Sequence, residues 1–206
     1  MLKQVSKTQI SIVTILLLVL SIVAVRMVVG EPSSPQNTNY SKSKGNPEAP
    51  LKIIKFSDYQ CPSCARATDM IREYMQKYPN QIHVEMKYFP LKMHTFGLLA
   101  ALYAECSRKQ NKFWGMSDLL FSSQDVWREL DNAKPIFDRL ATEIGVDQAV
   151  FDTCLVDTET PKLIWADRRE GDALKVRSTP SFLVNDEFVV GGKALKRKLE
   201  EYFKEN

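Results

Sequence analysis

The hydrophobic positions of this chain change their spacing several times, and each change marks an element. From Thr8 to Val25 no charge interrupts an apolar run, and "MVVG" prolongs it past Arg26 to Gly30. About 18 helical residues rise roughly 27 Å, close to the hydrocarbon thickness of a bilayer. "LKIIKF" (51–56) then reads as a strand. Cys64, Ala67, Ile71, Tyr74 and Tyr78 recur at intervals of three or four, the period of a helix with one buried face. Ile82, Val84, Met86 and Tyr88 alternate with polar residues, the period of a second strand. Strand, helix, strand is a βαβ unit, and its helix begins at Cys61 and Cys64.

The next eighty residues read as helix throughout. "TFGLLAALYAEC" predicts a helix with Leu99, Leu102, Tyr103 and Cys106 on one face, and "KFWGMSDLLF" and "PIFDRLATEIG" predict two more. Gly145 stops the last of these. In "VDQAVFDTCL" Asp147 is the expected N-cap, with Val150, Phe151, Cys154 and Leu155 turned inward. A polar helix over about 159–175 leads back to "SFLVN" and "EFVVGG", an antiparallel hairpin, and "KALKRKLEEYFKE" closes as a helix. The expected domain is α/β, with a βαβ half, a ββα half and an all-helical insertion at about 93–177 between them.

Lys3 and Lys7 precede the long apolar run, so the positive-inside rule places residues 1–7 in the cytoplasm and makes 8–30 a transmembrane anchor. A cleaved signal peptide, cut after Val28-Val29-Gly30, is the alternative. Either arrangement exports the remainder of the chain. Residues 31–49, rich in Pro, Ser and Asn, read as a flexible tether to a domain over 50–206. Lys3, Lys7 and Arg26 hold the whole net charge of +3. A charge-balanced domain without a basic stripe gives no reason to expect nucleic acid as a partner.

The pair Cys61-Pro62-Ser63-Cys64 carries the chemistry. Only the thiolate attacks a disulfide, and a free cysteine with a pKa of about 8.5 is mostly protonated at neutral pH. Unpaired N–H groups and the helix dipole favour an anion at a helix N-terminus, where Cys61 stands. Pro62 suits the first turn because it has no N–H to lose. Cys64 lies one turn in on the apolar face. Cys61 is therefore the expected exposed nucleophile and Cys64 the buried resolving thiol. A fall of about three units in the Cys61 pKa favours the reduced form by roughly 4 kcal/mol, which raises the potential by about 90 mV. Three other readings of the pair stand beside this one. A zinc site would need further ligands that Cys106, Cys154, His83 and His94 do not supply at the usual spacing. A Cu(I) site on two thiolates, or a structural staple, are the others.

"FSDYQCPSC" after a strand, with "RSTPSFLVN" roughly 120 residues later and helices between, resembles the DsbA-type thiol-disulfide oxidoreductases of the thioredoxin superfamily. The likeness runs over about residues 48–204. It implies a thioredoxin fold with a helical insertion, in which Thr179-Pro180 is a cis-proline loop beside Cys61 that offers backbone hydrogen bonds to an extended substrate. The implied activity is disulfide transfer from Cys61–Cys64 through a mixed disulfide at Cys61, which Cys64 resolves, with no cofactor and no metal. The implied partners are exported or unfolded polypeptides with free thiols, and a quinone-linked membrane protein (DsbB-like or VKOR-like) that restores the disulfide. The family's isomerases tend to be dimers with an added N-terminal domain, which residues 31–49 are too short to provide. A membrane-tethered monomeric oxidase is expected, with isomerase, reductase and copper-binding chaperone as alternatives. Some members of the family bond a second cysteine pair, and export favours the same for Cys106 and Cys154; buried free thiols are the other reading.

Two positions depart from the family. Ser63 stands where its strongest oxidants carry histidine, and Lys55 stands in the first strand where an acid is usual. A lysine there must reach solvent, pair with an acid such as Glu85, or lose its proton. We take Lys55 as a group that stabilises thiolate at the cysteines. His94 reads as structural or solvated, Trp114, Trp127 and Trp165 as core or partly exposed packing, Tyr59 as a neighbour of the active turn, and Asp58 equally as a turn residue or a functional one. A retained anchor predicts a full-length protein that stays with membranes through a salt wash. An N-terminus at Glu31 in the mature protein would show cleavage instead.

Overall fold

The computed structural model describes residues 41–205. Five strands form one mixed sheet in the order β1-β3-β2-β4-β5. They are β1 (Ser43–Gly45), β2 (Leu51–Ser57), β3 (Ile82–Tyr88), β4 (Ser181–Val184) and β5 (Glu187–Val190). β2 and β3 run parallel, joined by the crossover helix α1 (Pro62–Lys77), while β4 and β5 extend the sheet antiparallel. Asn185 and Asp186 turn this hairpin with φ of 46° and 69°, the left-handed conformation that a two-residue turn requires and short polar side chains tolerate. The Asn185 carboxamide accepts from the Lys52 amide and donates to the Pro50 carbonyl, which locks the turn onto the start of β2.

Between β3 and β4 come α2 (Gly97–Arg108), α3 (Phe113–Ser122), the single turn α4 (Gln124–Trp127), α5 (Lys134–Glu143), α6 (Gln148–Val156) and α7 (Thr160–Ala173). After β5 the chain closes with α8 (Gly192–Glu205). This is the thioredoxin arrangement with a helical insertion. α1 and α8 bury Ala67, Ile71, Leu195 and Leu199 against Leu51, Ile53 and Val184 on one face of the sheet. α7 covers the other face and comes so close at Gly171 that a Cβ there would lie 2.7 Å from the Phe89 ring and 3.0 Å from Phe56. The largest core joins the insertion to the cysteine end of the sheet, so Cys61, Cys64, Tyr59 and Tyr88 pack in one body with Trp127, Phe137 and Phe151.

Several expectations change. The tether expected over 31–49 does not extend through Gly45, because β1 pairs with β3 from Ser43 to Gly45. Backbone pairing at a sheet edge needs no apolar pattern, which is why "SKG" reads as linker. Side chains fix it further: Trp114 Nε1 donates to the Ser43 carbonyl, Lys42 pairs with Asp167, and Ala49 is buried. In α2 the buried face runs through Ala100, Tyr103, Ala104 and Ser107, and Leu99 and Leu102 are half-buried at its margin. Small residues let α2 pack closely, so size decides the face here over hydropathy. Asp147 caps α6 by accepting from the Val150 amide, yet Val150 itself is exposed; Phe151 and Cys154 carry the contact. Among the described residues no helix is long and apolar enough to cross a membrane, and the anchor expected over 8–30 lies outside them.

Cys106 of α2 and Cys154 of α6 are bonded, S–S 2.07 Å, across 48 positions of sequence. Closing a loop of that length restricts the unfolded chain by about 4 kcal/mol in the chain-entropy treatment. Replacing both residues with alanine should lower unfolding stability by about 2–4 kcal/mol, read by denaturant titration, with the exposure of Cys61 and Cys64 unchanged.

Candidate functional site

The site is built where β2 ends and α1 begins. Asp58 is buried and accepts from the Gln60 amide, the Leu91 amide and the His94 ring, each at 2.7 Å. It is a turn residue, and His94 is its clasp. The chain then enters α1 with Cys61 as N-cap in extended conformation, Pro62 in the first turn, and no hydrogen bond from the cap side chain to the first-turn amides. Gln124, from the insertion, donates its side-chain amide to the carbonyls of Tyr59 (2.6 Å) and Cys61 (3.1 Å). Gln60 reaches the other way, to the Arg128 carbonyl and the Phe96 amide. The active turn is thus fastened to the insertion by two glutamines.

Cys61 is the more accessible of the two thiols, but it is only 7% exposed and Cys64 is fully covered. The expected open nucleophile is instead partly shielded, because the Thr179-Pro180 loop lies across it. That peptide bond is cis. The Pro180 carbonyl accepts from Gly191, and the Ser181 hydroxyl donates to Ser178, so both sides of the loop are held. In its thiol form Cys61 donates to the Thr179 carbonyl oxygen at 3.4 Å.

The two sulfurs differ in proton affinity. Cys61 is lowered to about 5, chiefly because the Cys64 thiol donates to its sulfur; burial works against this. The Thr179 hydroxyl, buried without another partner among the described residues, and the amides of Cys64 and Ser63 add to the fall. Cys64 is pushed well above the ordinary thiol range by burial and by its bond to Cys61, against a downward pull from Lys55 and the Ser57 hydroxyl. Ser63 contributes through its backbone, and its hydroxyl accepts from Arg66 at 2.9 Å.

Lys55 does not pair with Glu85. In the parallel register Lys55 lies beside Met86 and Glu85 beside Ile54, so the two side chains leave opposite faces of the sheet. Glu85 pairs with Lys87 instead. Lys55 is 3% exposed; its ammonium donates to the Thr68 hydroxyl and to the Cys64 carbonyl (3.4 Å), and it lies 4.5 Å from the Phe121 ring centre. Burial lowers it to about 8, and the sulfurs of Cys64 and then Cys61 are the charges that most resist the fall.

Sequence reasoning missed Ser57, Thr68 and Gln124. Ser57 lies two positions beyond Lys55 on the same strand face, and Thr68 one turn beyond Cys64 on the helix, so spacing could have found both. No local signal marks Gln124, which arrives from a single-turn helix more than sixty residues away. Trp127 is buried in the insertion core, Trp114 bridges to β1, and Trp165 is partly exposed. Among the described residues no three His, Cys, Asp or Glu side chains cluster to hold a metal ion.

This geometry has relatives. A thioredoxin family model matches residues 37–201, and the chain belongs to the thioredoxin family. Solved structures of similar fold include a thioredoxin-like oxidoreductase from Silicibacter pomeroyi (23% identity, TM-score 0.64, 83% of this chain and 99% of that one). BdbD from Bacillus subtilis (21%, 0.67, 81% and 94%) and α-DsbA1 from Wolbachia pipientis (20%, 0.64, 80% and 92%) are others. At these identities the likeness is one of fold, and it includes the helical insertion. Curated relatives include the Na⁺/H⁺ antiporter NhaA 3 of Salinispora tropica, 31% identical over 152 residues, 73% of this chain and 22% of that protein. The Na⁺/H⁺ antiporter NhaA 1 of Mycobacterium sp. strain KMS is 32% identical over 148 residues, 69% and 23%. The chain spans less than a quarter of the length of these relatives.

Two outcomes follow from the proton affinities. A folded-state pKa lowered from 9.0 to about 5 stabilises the reduced protein fully above the ordinary thiol value. That contribution shrinks as the pH falls and is gone below about 5, while Cys64 keeps its proton throughout. The reduction potential should therefore change by about 30 mV per pH unit between the two values and about 59 mV per unit below them. Lys55→Met should raise the Cys61 pKa by about half a unit and lower the potential by about 15 mV, read by thiolate absorbance and glutathione equilibration. An unchanged titration and potential would leave Lys55 without an electrostatic part.

Proposed function

We propose that this protein is an extracytoplasmic thiol-disulfide oxidase, held to the membrane by residues 8–30, that passes the Cys61–Cys64 disulfide to exported polypeptides. One observation carries the reading: two thiols a single helical turn apart have proton affinities driven in opposite directions, and the low one lies against the Thr179 carbonyl. A substrate thiolate attacks Cys61 Sγ, the Cys61–Cys64 bond breaks, and Cys64 takes up a proton. A second substrate thiolate then attacks the substrate sulfur of the mixed disulfide, and Cys61 leaves as thiolate. The substrate loses two electrons and the enzyme gains them. A low-pKa sulfur is the better leaving group in this second step, which favours oxidation of the substrate. Return attack by Cys64 on Cys61 releases the substrate unoxidised, so the resolving part expected of Cys64 belongs to the reverse, reducing direction.

The Thr179 backbone beside Cys61 supports an extended polypeptide as substrate, because backbone hydrogen bonding reads little of the side chains. Re-oxidation falls to a quinone-linked membrane partner, and the protein works as a monomer. The neighbours of known fold include proteins described as thiol-disulfide exchange and thioredoxin-like oxidoreductases, which supports the class. Cys64→Ser should accumulate mixed disulfides with exported proteins on non-reducing gels, and Cys61→Ser should not. The reverse pattern would overturn the assignment of roles. Equilibration with glutathione should place the potential above about −200 mV; a value near −270 mV would make the protein a reductant.

A further inference from the structure

An opening lies behind the thiols, at Lys55 and Thr68. α1, α3 and the sheet enclose a cavity of about 270 Å³, bordered by neither Cys61 nor Thr179. Its walls are apolar, from Ile71 and Met75 of α1, Val84 and Met86 of β3, and Trp114 and Phe121 of α3. Lys55 and Thr68 border it where it nears the cysteines. Lys44, Arg72 and Asp118 border it too and are partly exposed, with Asp118 bridged to both cations at 3.7 and 3.1 Å. The one acid of the lining is therefore already neutralised, and the lining carries an excess of positive charge.

Lys55 makes the cavity more than a packing gap. Its ammonium is nearly fully buried, its hydrogen-bond partners are a hydroxyl and a carbonyl, and no carboxylate pairs with it among the described residues. Asp69 and Asp118 act on this cation only at a distance, without touching it; a buried cation with no anion in contact is costly, and an anion beside it relieves that cost. The volume equals about nine times a water molecule's share of the liquid, room for an acid head and a short hydrocarbon or aromatic body.

We propose that this cavity binds a small carboxylate with an apolar body, its carboxylate on the Lys55 ammonium, and that occupancy weakens the stabilisation of thiolate at Cys61 and Cys64. The second half rests on the redox reading above. Lys55 attracts the two sulfurs most when they are anionic; a bound carboxylate screens that attraction and repels the thiolates directly. By reciprocity the ligand prefers the disulfide form, which carries no thiolate, and its binding lowers the reduction potential.

Calorimetric titration of the full chain with 3-phenylpropionate, and with its neutral isostere 3-phenylpropanamide, tests the site. The acid should bind at least tenfold tighter than the amide. Lys55→Met should abolish the difference, and Met75→Trp, which fills the cavity without touching Lys55, should weaken both. The oxidised protein should bind the acid about tenfold tighter than the reduced, so that a saturating concentration lowers the potential by about 30 mV. Equal binding of acid and amide overturns the site, as does acid affinity unaltered in both variants. Equal affinity of the oxidised and reduced forms overturns the coupling. The acid–amide comparison needs no turnover, so a protein that prefers the acid but fails to oxidise exported substrates refutes the oxidase and keeps the site.

Discussion

One turn of helix holds two sulfur atoms in surroundings that pull their protons in opposite directions, and the rest of the molecule serves that difference. Cys61 meets the amides of Ser63 and Cys64, the Cys64 thiol and the Thr179 side chain; Cys64 meets apolar core. Neither environment exists in the isolated βαβ unit. The amides face Cys61 because Gln124 fixes the carbonyls of the turn, and the core closes over Cys64 because the insertion supplies the side chains that close it. A pKa gap of this kind needs walls, and here the helical insertion builds them.

Lys55 complicates the electrostatics in an instructive way. A buried cation close to two sulfurs favours their anionic forms, yet burial has already lowered its own affinity for a proton. The interaction is therefore mutual: each thiolate helps keep the lysine charged, and the charged lysine helps keep the thiolate. An acid at the same position would act in the opposite sense on both counts. Three groups are thus electrostatically coupled, of which the cysteine motif names two.

Much of the plan was legible because its signals were periodic. The alternation over Ile82–Tyr88, the three-four spacing from Cys64 to Ile71 and the hairpin at "SFLVN" and "EFVVGG" all correspond to elements of the sheet and its covering helices. The misses have physical reasons. β1 is held by backbone pairing and by Lys42 and Trp114, none of which leaves a hydropathy pattern. The buried face of α2 is chosen by small side chains, and the leucines only border it. Adjacency of the two strands alone suggests Glu85 as a partner for Lys55; strand register puts them on opposite faces. Gln124 exists as a site residue only once the chain has folded back on itself.

Gly171 shows how far from a sulfur its surroundings are set. The absent side chain lets α7 settle onto Phe56 and Phe89, and the Gly171 carbonyl accepts from the Val176 amide, drawing Val176 into the same small core. Three residues later the chain reaches Thr179. The contact between Thr179 and Cys61 is therefore calibrated on the far face of the sheet, by how thin one point of a helix is. Drift in the sequence of α7 would be felt first as a change in how closely Thr179 approaches Cys61, well before the fold gave way.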